Sequence, residues 1–317
     1  MDLANSLILV TGAGGFIGRI VVDALLRRGA QVRVLLGPTD ESFCLPAFAL
    51  DQRRADIRDL DALRNIVPGI EIVIHLAGPA SVAASFDFPE EYVSVHVTGT
   101  SSLVSACQEG GVRRLIYISS AEVYGQPLSN PVREDHPLRA SSPYGAAKIG
   151  AELSVARFAD VAGIEVLILR PFSIYGPGHS KDSLIGTIMR QVAEGEAIRL
   201  HDPTPIRDYC YVSDLAEAIV RGCFVETEGA QVVNIGTGIG TSAAEVARLI
   251  MQLKQIELPV LKAAVQDRPT HSKIECLIAD PCKARKTLGW QADTNLQEGL
   301  NRTINQPQIR SRQCALN

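Results

Sequence analysis

The apolar run Leu7-Ile8-Leu9-Val10 breaks into Thr11-Gly12-Ala13-Gly14-Gly15-Phe16-Ile17-Gly18, and no other stretch constrains this chain's fold so strongly. A buried strand, a glycine-rich turn and a helix in immediate succession open a βαβ unit that binds a dinucleotide. Gly12, Gly15 and Gly18 permit a tight turn and a close approach of backbone to a pyrophosphate. Phe16 and Ile17 begin a helix whose free N–H groups and dipole favour that anion. The helix runs to Arg28, with Ile17, Ile20, Val21, Ala24 and Leu25 at helical spacing, and stops at Gly29.

The same alternation continues through the first half. Val32–Leu36, Ile70–Leu76, Leu115–Ile118 and Ile164–Leu169 read as strands, with a further short strand before Asp56. Asp59–Val67, Glu90–Gln108 and Pro143–Val161 read as helices. Short apolar strands separated by helices predict an α/β fold: a Rossmann-type doubly wound parallel sheet covered on both faces. Residues 1–170 are expected to form this dinucleotide-binding domain. After Pro171 glycine and proline become frequent and the alternation weakens. Residues 171–305 are therefore expected to form a smaller α/β C-terminal part that binds substrate, partly interleaved with the first. Residues 306–317 read as a polar tail.

Composition narrows the function. The 317 residues carry a net charge of −4, which argues against nucleic acid as a partner. The seven cysteines include no C-x-x-C pair, so zinc and disulfide frameworks are poorly supported and no metal is expected. The run Leu7–Val10 is too short for a secretory core or a membrane span, so a cytoplasmic protein without membrane contact is expected.

The adenosine end of the cofactor site is less plain. An acid is expected where the second strand ends, but Leu36 stands there, followed by Gly37-Pro38. Asp40 and Glu41 are the nearest acids, and Arg33, Arg53 and Arg54 the nearest cations for a 2'-phosphate. NAD and NADP both stay open. Asp56-Ile57 is placed to flank the adenine, and Leu76-Ala77-Gly78 ends a strand with the small residues a passing cofactor needs.

The chemistry is carried by Tyr144 and Lys148, four apart in Ser141-Ser142-Pro143-Tyr144-Gly145-Ala146-Ala147-Lys148. Pro143 suits a first helical turn capped by Ser141 or Ser142, and the spacing puts both side chains on one face. A phenol ordinarily titrates near 10. A neighbouring ammonium and the positive nicotinamide are expected to lower that value and make a usable base. A serine of Ser119-Ser120 is placed to hydrogen-bond the same substrate oxygen.

With these motifs the chain resembles the extended short-chain dehydrogenase/reductase family, in its nucleotide-sugar epimerase/dehydratase branch. The resemblance covers nearly the whole length. It includes the glycine loop, Tyr117-Ile118-Ser119-Ser120-Ala121-Glu122-Val123-Tyr124-Gly125, Tyr144 with Lys148, and Arg170-Pro171-Phe172-Ser173-Ile174-Tyr175-Gly176-Pro177-Gly178. It continues in Arg207-Asp208-Tyr209-Cys210-Tyr211-Val212-Ser213-Asp214, Asn234-Ile235-Gly236 and Leu288-Gly289-Trp290. It implies Ser120 as the hydroxyl residue, Tyr144 as general acid/base, and Lys148 as the ribose-binding cation that lowers the tyrosine. It also implies Pro171 beside the cofactor, and Ser173, Tyr175 and Arg207 at a nucleotide-sugar substrate. For Arg207 an ion pair with Asp208 or Asp214 is the structural alternative. A homodimer built on helices Glu90–Gln108 and Pro143–Val161 is implied as well. The chain departs from the pattern at Leu36, at His96 and Ser173, where the family has asparagine, and at Ala121, where some dehydratases carry aspartate.

The resemblance implies hydride removal from the sugar ring to give a ketone. Return of hydride on the other face makes a 4-epimerase, which is placed first. Reduction of an incoming 4-keto-6-deoxy sugar by NADPH is the alternative; Gly178–Ser183 and Asp267-Arg268-Pro269 resemble the branch acting on GDP-linked sugars of that kind. A second base at Glu122 would make a 4,6-dehydratase. A dinucleotide-binding redox sensor without turnover is the reading from another class.

Overall fold

The structure, a computed structural model, describes residues 3, 6–40, 50–263 and 273–306. Glu41, Asp267, Arg268, Pro269 and residues 307–317 lie outside the described residues.

Strands β1 (Leu7–Thr11), β2 (Gln31–Leu36), β3 (Asp51–Arg54), β4 (Ile72–His75), β5 (Arg114–Ile118) and β6 (Glu165–Pro171) come from the first half. β4 and β5 are buried at every position, as a strand covered on both faces requires. Between the strands run α1 (Phe16–Leu26), α2 (Leu60–Ile66), the short α3 (Ala84–Asp87) and α4 (Pro89–Val93), then α5 (Thr100–Glu109) and α6 (Pro143–Ala162). Side-chain oxygens start two of these helices. Asp59 caps α2, and Ser142 caps α6 just before Pro143. Gly163, left-handed, ends α6.

The single helix expected over Glu90–Gln108 is interrupted. α4 and α5 are joined by a π turn, Ser94–Gly99. The wider turn lets both His96 and Gly99 face inward.

The second half contributes β7 (Ser173–Tyr175), α7 (Leu184–Glu194), β8 (Ile198–Leu200), β9 (Ile206–Tyr211) and α8 (Val212–Gly222). There follow β10 (Ala230–Ile235), β11 (Gly240–Ser242), α9 (Ala243–Lys254), β12 (Val260–Lys262), β13 (Cys276–Leu277), α10 (Cys282–Leu288) and α11 (Leu296–Asn305). Strand order in the main sheet is β10-β6-β5-β4-β1-β2-β3, with every neighbouring pair parallel. β10 thus joins the sheet of the first half. α8 and Trp290 pack on that sheet with α1, while α2, α5 and α6 cover its other face. A small sheet of β7, β9, β11 and β13 and the β8–β12 pair make up the rest. Ile188, Val246, Ile250 and Leu300 bury α7, α9 and α11 against it.

The second half is stitched together at Asp208 on β9, which is fully buried. Its carboxylate accepts from the backbone N–H groups of Thr237 (2.8 Å), Gly238 (2.8 Å) and Ala279 (3.2 Å), and from the Thr237 hydroxyl (2.6 Å). Burial pushes this carboxyl up, and the four donors oppose the rise. Asp208→Ala strands buried donors, so it should cost about 3 kcal/mol in urea denaturation. A loss below about 1 kcal/mol would show that water replaces the carboxylate there.

Candidate active site

In this strand order the connections reverse direction between β1 and β4, and the crevice beyond their carboxyl ends is where such sheets bind ligands. Thr11 draws the two strands together. Its hydroxyl lies 2.7 Å from His75 Nδ1 and accepts from the N–H groups of Leu76 and Ala77, both at 3.3 Å. His75 Nε2 lies 3.0 Å from the Thr100 hydroxyl, and burial holds its imidazole well below its ordinary pKa.

The glycine turn fits a dinucleotide. Gly12 has φ +68°, and a Cβ there would stand 2.8 Å from Ala77 N. A Cβ on Gly18 would stand 2.2 Å from Gly12 O. The backbone at Gly12 thus lies against Leu76-Ala77, and the start of α1 at Gly18 lies against the turn itself. Gly15 caps α1 without any side-chain bond, and the first turn holds no acid. Unoccupied N–H groups and a favourable dipole are what a diphosphate needs.

Tyr144 and Lys148 reach the same crevice from α6. A Cβ on Gly145 would stand 2.6 Å from Glu122 O, so α6 seats directly on the turn Ala121–Tyr124 that follows β5. This contact brings the Tyr144 phenol beside the Ser120 hydroxyl. The Ser120 hydroxyl also accepts from Glu122 N at 3.2 Å. Lys148 Nζ donates to Ile118 O at 2.7 Å and lies 6.0 Å from the centre of the Tyr144 ring. The rings of His96 and Tyr92 stand edge-on to Tyr144, at 5.6 and 6.1 Å.

Burial pushes the Tyr144 phenol up; the Ser120 hydroxyl opposes this, and Glu122 and Tyr92 add to it. Burial pushes Lys148 itself down to about 7, against the opposing pull of Glu152.

Other candidates are placed differently. Asp56 is engaged by Arg58, and Ile57 is buried against Gly99. Pro171 ends β6 beside β5, and Ser173 begins β7, half-buried. Arg207 donates to the carbonyls of Ile206 and Ile274, each at 2.9 Å, while Asp208 and Asp214 hold backbone groups elsewhere. Tyr175 is turned into the second core, where its hydroxyl donates to Leu296 O at 3.3 Å. Arg33 is held by Asp51 (2.7 Å) and Ile66 O (2.6 Å), and Arg53 by Asp51 (2.8 Å).

Sequence reasoning missed a buried network behind the pair. Glu152, one turn beyond Lys148, binds Ser119 Oγ and takes Arg170 through both oxygens, at 2.9 and 2.6 Å. Arg170 also donates to the Tyr124 hydroxyl at 2.8 Å. The signal was present: Tyr144, Lys148 and Glu152 repeat every fourth residue.

A parallel sheet with a glycine cradle at its switch point, and a serine, tyrosine and lysine beside it, defines a nicotinamide-dependent enzyme of the extended short-chain dehydrogenase/reductase class. The profile of the NAD dependent epimerase/dehydratase family matches residues 8–236. The UDP-glucose 4-epimerase of Bacillus subtilis is 33% identical, over 92% of this chain and 94% of its own. The UDP-glucuronate 4-epimerase of Thermodesulfobacterium geofontis is 31% identical, over 94% of each chain. The solved structure of MoeE5 in complex with UDP-glucuronic acid and NAD superimposes with a TM-score of 0.85 at 32% identity, covering 94% of this chain and 97% of that one. The chain belongs to the NAD-dependent epimerase/dehydratase family.

The buried ammonium has a measurable consequence. Its pKa is depressed in the native state, so between about pH 7 and the unfolded value of 10.5 the unfolded chain holds the extra proton. The cost of burial is therefore full below pH 7 and fades as pH rises. Lys148→Met removes it, so any stability it gains over wild type should shrink by a few kcal/mol from pH 7 to pH 10 in urea titrations. A difference that is flat with pH would show that Lys148 titrates normally.

Proposed function

We propose that this chain is an NAD-dependent UDP-sugar 4-epimerase. The observation that carries the reading is the Tyr144 phenol beside the Ser120 hydroxyl at the mouth of the glycine cradle, with Lys148 one turn behind it. It is supported by relatives that are UDP-glucose and UDP-glucuronate 4-epimerases over nearly the full chain.

Gly12, Gly15, Phe16, Ile17 and Gly18 hold the dinucleotide's diphosphate, Leu76, Ala77 and Gly78 flank it, Asp56 and Ile57 lie toward the adenine, and Lys148 and Pro171 lie toward the nicotinamide. A bound NAD supplies the hydride acceptor and donor, and its positive ring favours the Tyr144 phenolate. Tyr144 takes the proton of the sugar's 4-hydroxyl, and Ser120 orients that oxygen through its own hydroxyl. Lys148 adds positive charge beneath the phenol. After the ketone turns over in the site, Tyr144 returns the proton. Arg207 and Ser173 lie toward the UDP-sugar, and a guanidinium suits its diphosphate. Tyr175 supports that wall from behind. Glu122 borders the substrate, and with Ala121 beside it no acid pair is present to expel water from the sugar.

Phe88, Val93, Leu153 and Val161 are exposed on and beside α4 and α6. They are the face of a homodimer in this reading. The unpaired thiols of Cys107, Cys210 and Cys223 agree with a reducing, cytoplasmic compartment.

Purified protein should interconvert UDP-glucose and UDP-galactose, or the uronic acid pair, with no net use of NADPH. Net consumption of NADPH with a 4-keto sugar would overturn the reading in favour of a reductase. Tyr144→Phe should lower kcat by about 10²- to 10⁴-fold with an unchanged melting temperature. Leu153→Arg should shift the protein from dimer to monomer in light scattering; an unchanged mass would remove the proposed face.

A further inference from the structure

In a Rossmann cradle the ribose of the adenosine half is read by an acid at the end of the second strand. Here β2 ends in Leu36, apolar and only 1% exposed. We infer that Asp40, folded back from the loop after β2, supplies the missing carboxylate: it binds the adenosine 2'- and 3'-hydroxyls of NAD and turns away the 2'-phosphate of NADP. The inference rests on the NAD reading above.

Three observations carry it. The first is position. A Cβ built on Gly14, in the middle of the glycine turn, would stand 3.4 Å from Leu36 Cδ2 and 3.8 Å from Asp40 Oδ2. The Asp40 carboxylate therefore lies beside the Leu36 side chain and over the turn, four residues late in sequence but in place. The second is a built loop. Gly37 N donates to Asp40 Oδ2 at 2.7 Å, which closes the bend. Arg54, at the end of β3, gathers the carbonyls of Gly37 (2.7 Å), Pro38 (3.4 Å) and Asp40 around one nitrogen. The backbone acceptors thus turn inward to the guanidinium, and the carboxylate turns outward to the crevice. The third is availability. Asp40 is exposed, and Oδ1 accepts no hydrogen bond among the described residues. A carboxylate accepts from a pair of hydroxyls and repels a dianionic phosphate. Arg54, the cation beside it, is committed to the loop carbonyls, Arg19 donates to Gly14 O at 2.8 Å, and Arg33 and Arg53 are held by Asp51.

The test titrates the full chain, freed of any nucleotide it carries, with NADH and with NADPH and follows nicotinamide fluorescence. Wild type should bind NADH at least about 100-fold more tightly than NADPH. Asp40→Ala should weaken NADH by about 10- to 100-fold and leave NADPH unchanged or tighter. Arg54→Ala, which frees the loop but keeps the carboxylate, should weaken NADH by a smaller factor. Melting temperatures should not move for Asp40→Ala, since the side chain is exposed. A selective NADH loss of about fivefold or more bears the inference out. A smaller loss, or an equal loss for both dinucleotides, overturns it and leaves the epimerase reading standing. Wild-type protein that binds neither dinucleotide overturns both.

Discussion

The Glu152 carboxylate is the joint on which the catalytic corner turns. It receives Ser119 from the end of β5 and Arg170 from β6, and it projects from α6 one turn past Lys148. Both partners are buried, and a buried pair of this kind is a weak source of net stability. Its value here is position. Three elements must agree before Tyr144 can meet Ser120, and the carboxylate is where they agree. Tyr124 extends the same network. Its hydroxyl accepts from Arg170 and donates to Asn234 at 2.7 Å, so the outer strand β10 shares the constraint.

That rigidity comes with an electrostatic tension. Desolvation disfavours the charged form of both functional groups, raising the Tyr144 phenol and depressing the Lys148 ammonium. The chain alone is therefore poised with a protonated phenol over a weakly held ammonium. A positive ring entering the cradle favours the phenolate and disfavours the ammonium. Glu152, which raises Lys148, keeps that second effect in check. In the proposed reaction the binding of an oxidised cofactor and the arming of the base are thus linked by charge.

Much of this was legible in the sequence. The glycine turn, the buried strands and the Tyr144–Lys148 spacing follow from local rules, and local rules survive folding. Three things were not legible. The seventh strand, β10, lies well past Pro171, and nothing local says that a strand will cross back to β6. The burial that raises the Tyr144 phenol and depresses the Lys148 ammonium is set by tertiary packing, which spacing alone does not give. Tyr175 sits in a stretch that looks like a substrate wall, yet a residue on a strand can face either side. Here its ring packs on Tyr209 and Tyr211, at 6.3 and 5.6 Å.

The departures at Leu36, His96 and Ser173, like that at Ala121, spare the Tyr144–Lys148 pair and fall around it, and His96 shows how one is accommodated. His96 lies in the π turn, and its ring settles over Gly78 with Nε2 2.8 Å from Pro79 O. A carbonyl can only accept, so Nε2 carries the proton and the tautomer is fixed. Burial, with Lys148 adding to it, pushes the ring down to about 3. His96 is therefore neutral wherever the protein is folded and active. It adds no charge to compete with Lys148, and it still supplies the hydrogen bond that anchors the loop after β4. The imidazole thus shapes the wall beside Tyr144 and, held neutral by burial, adds no charge there.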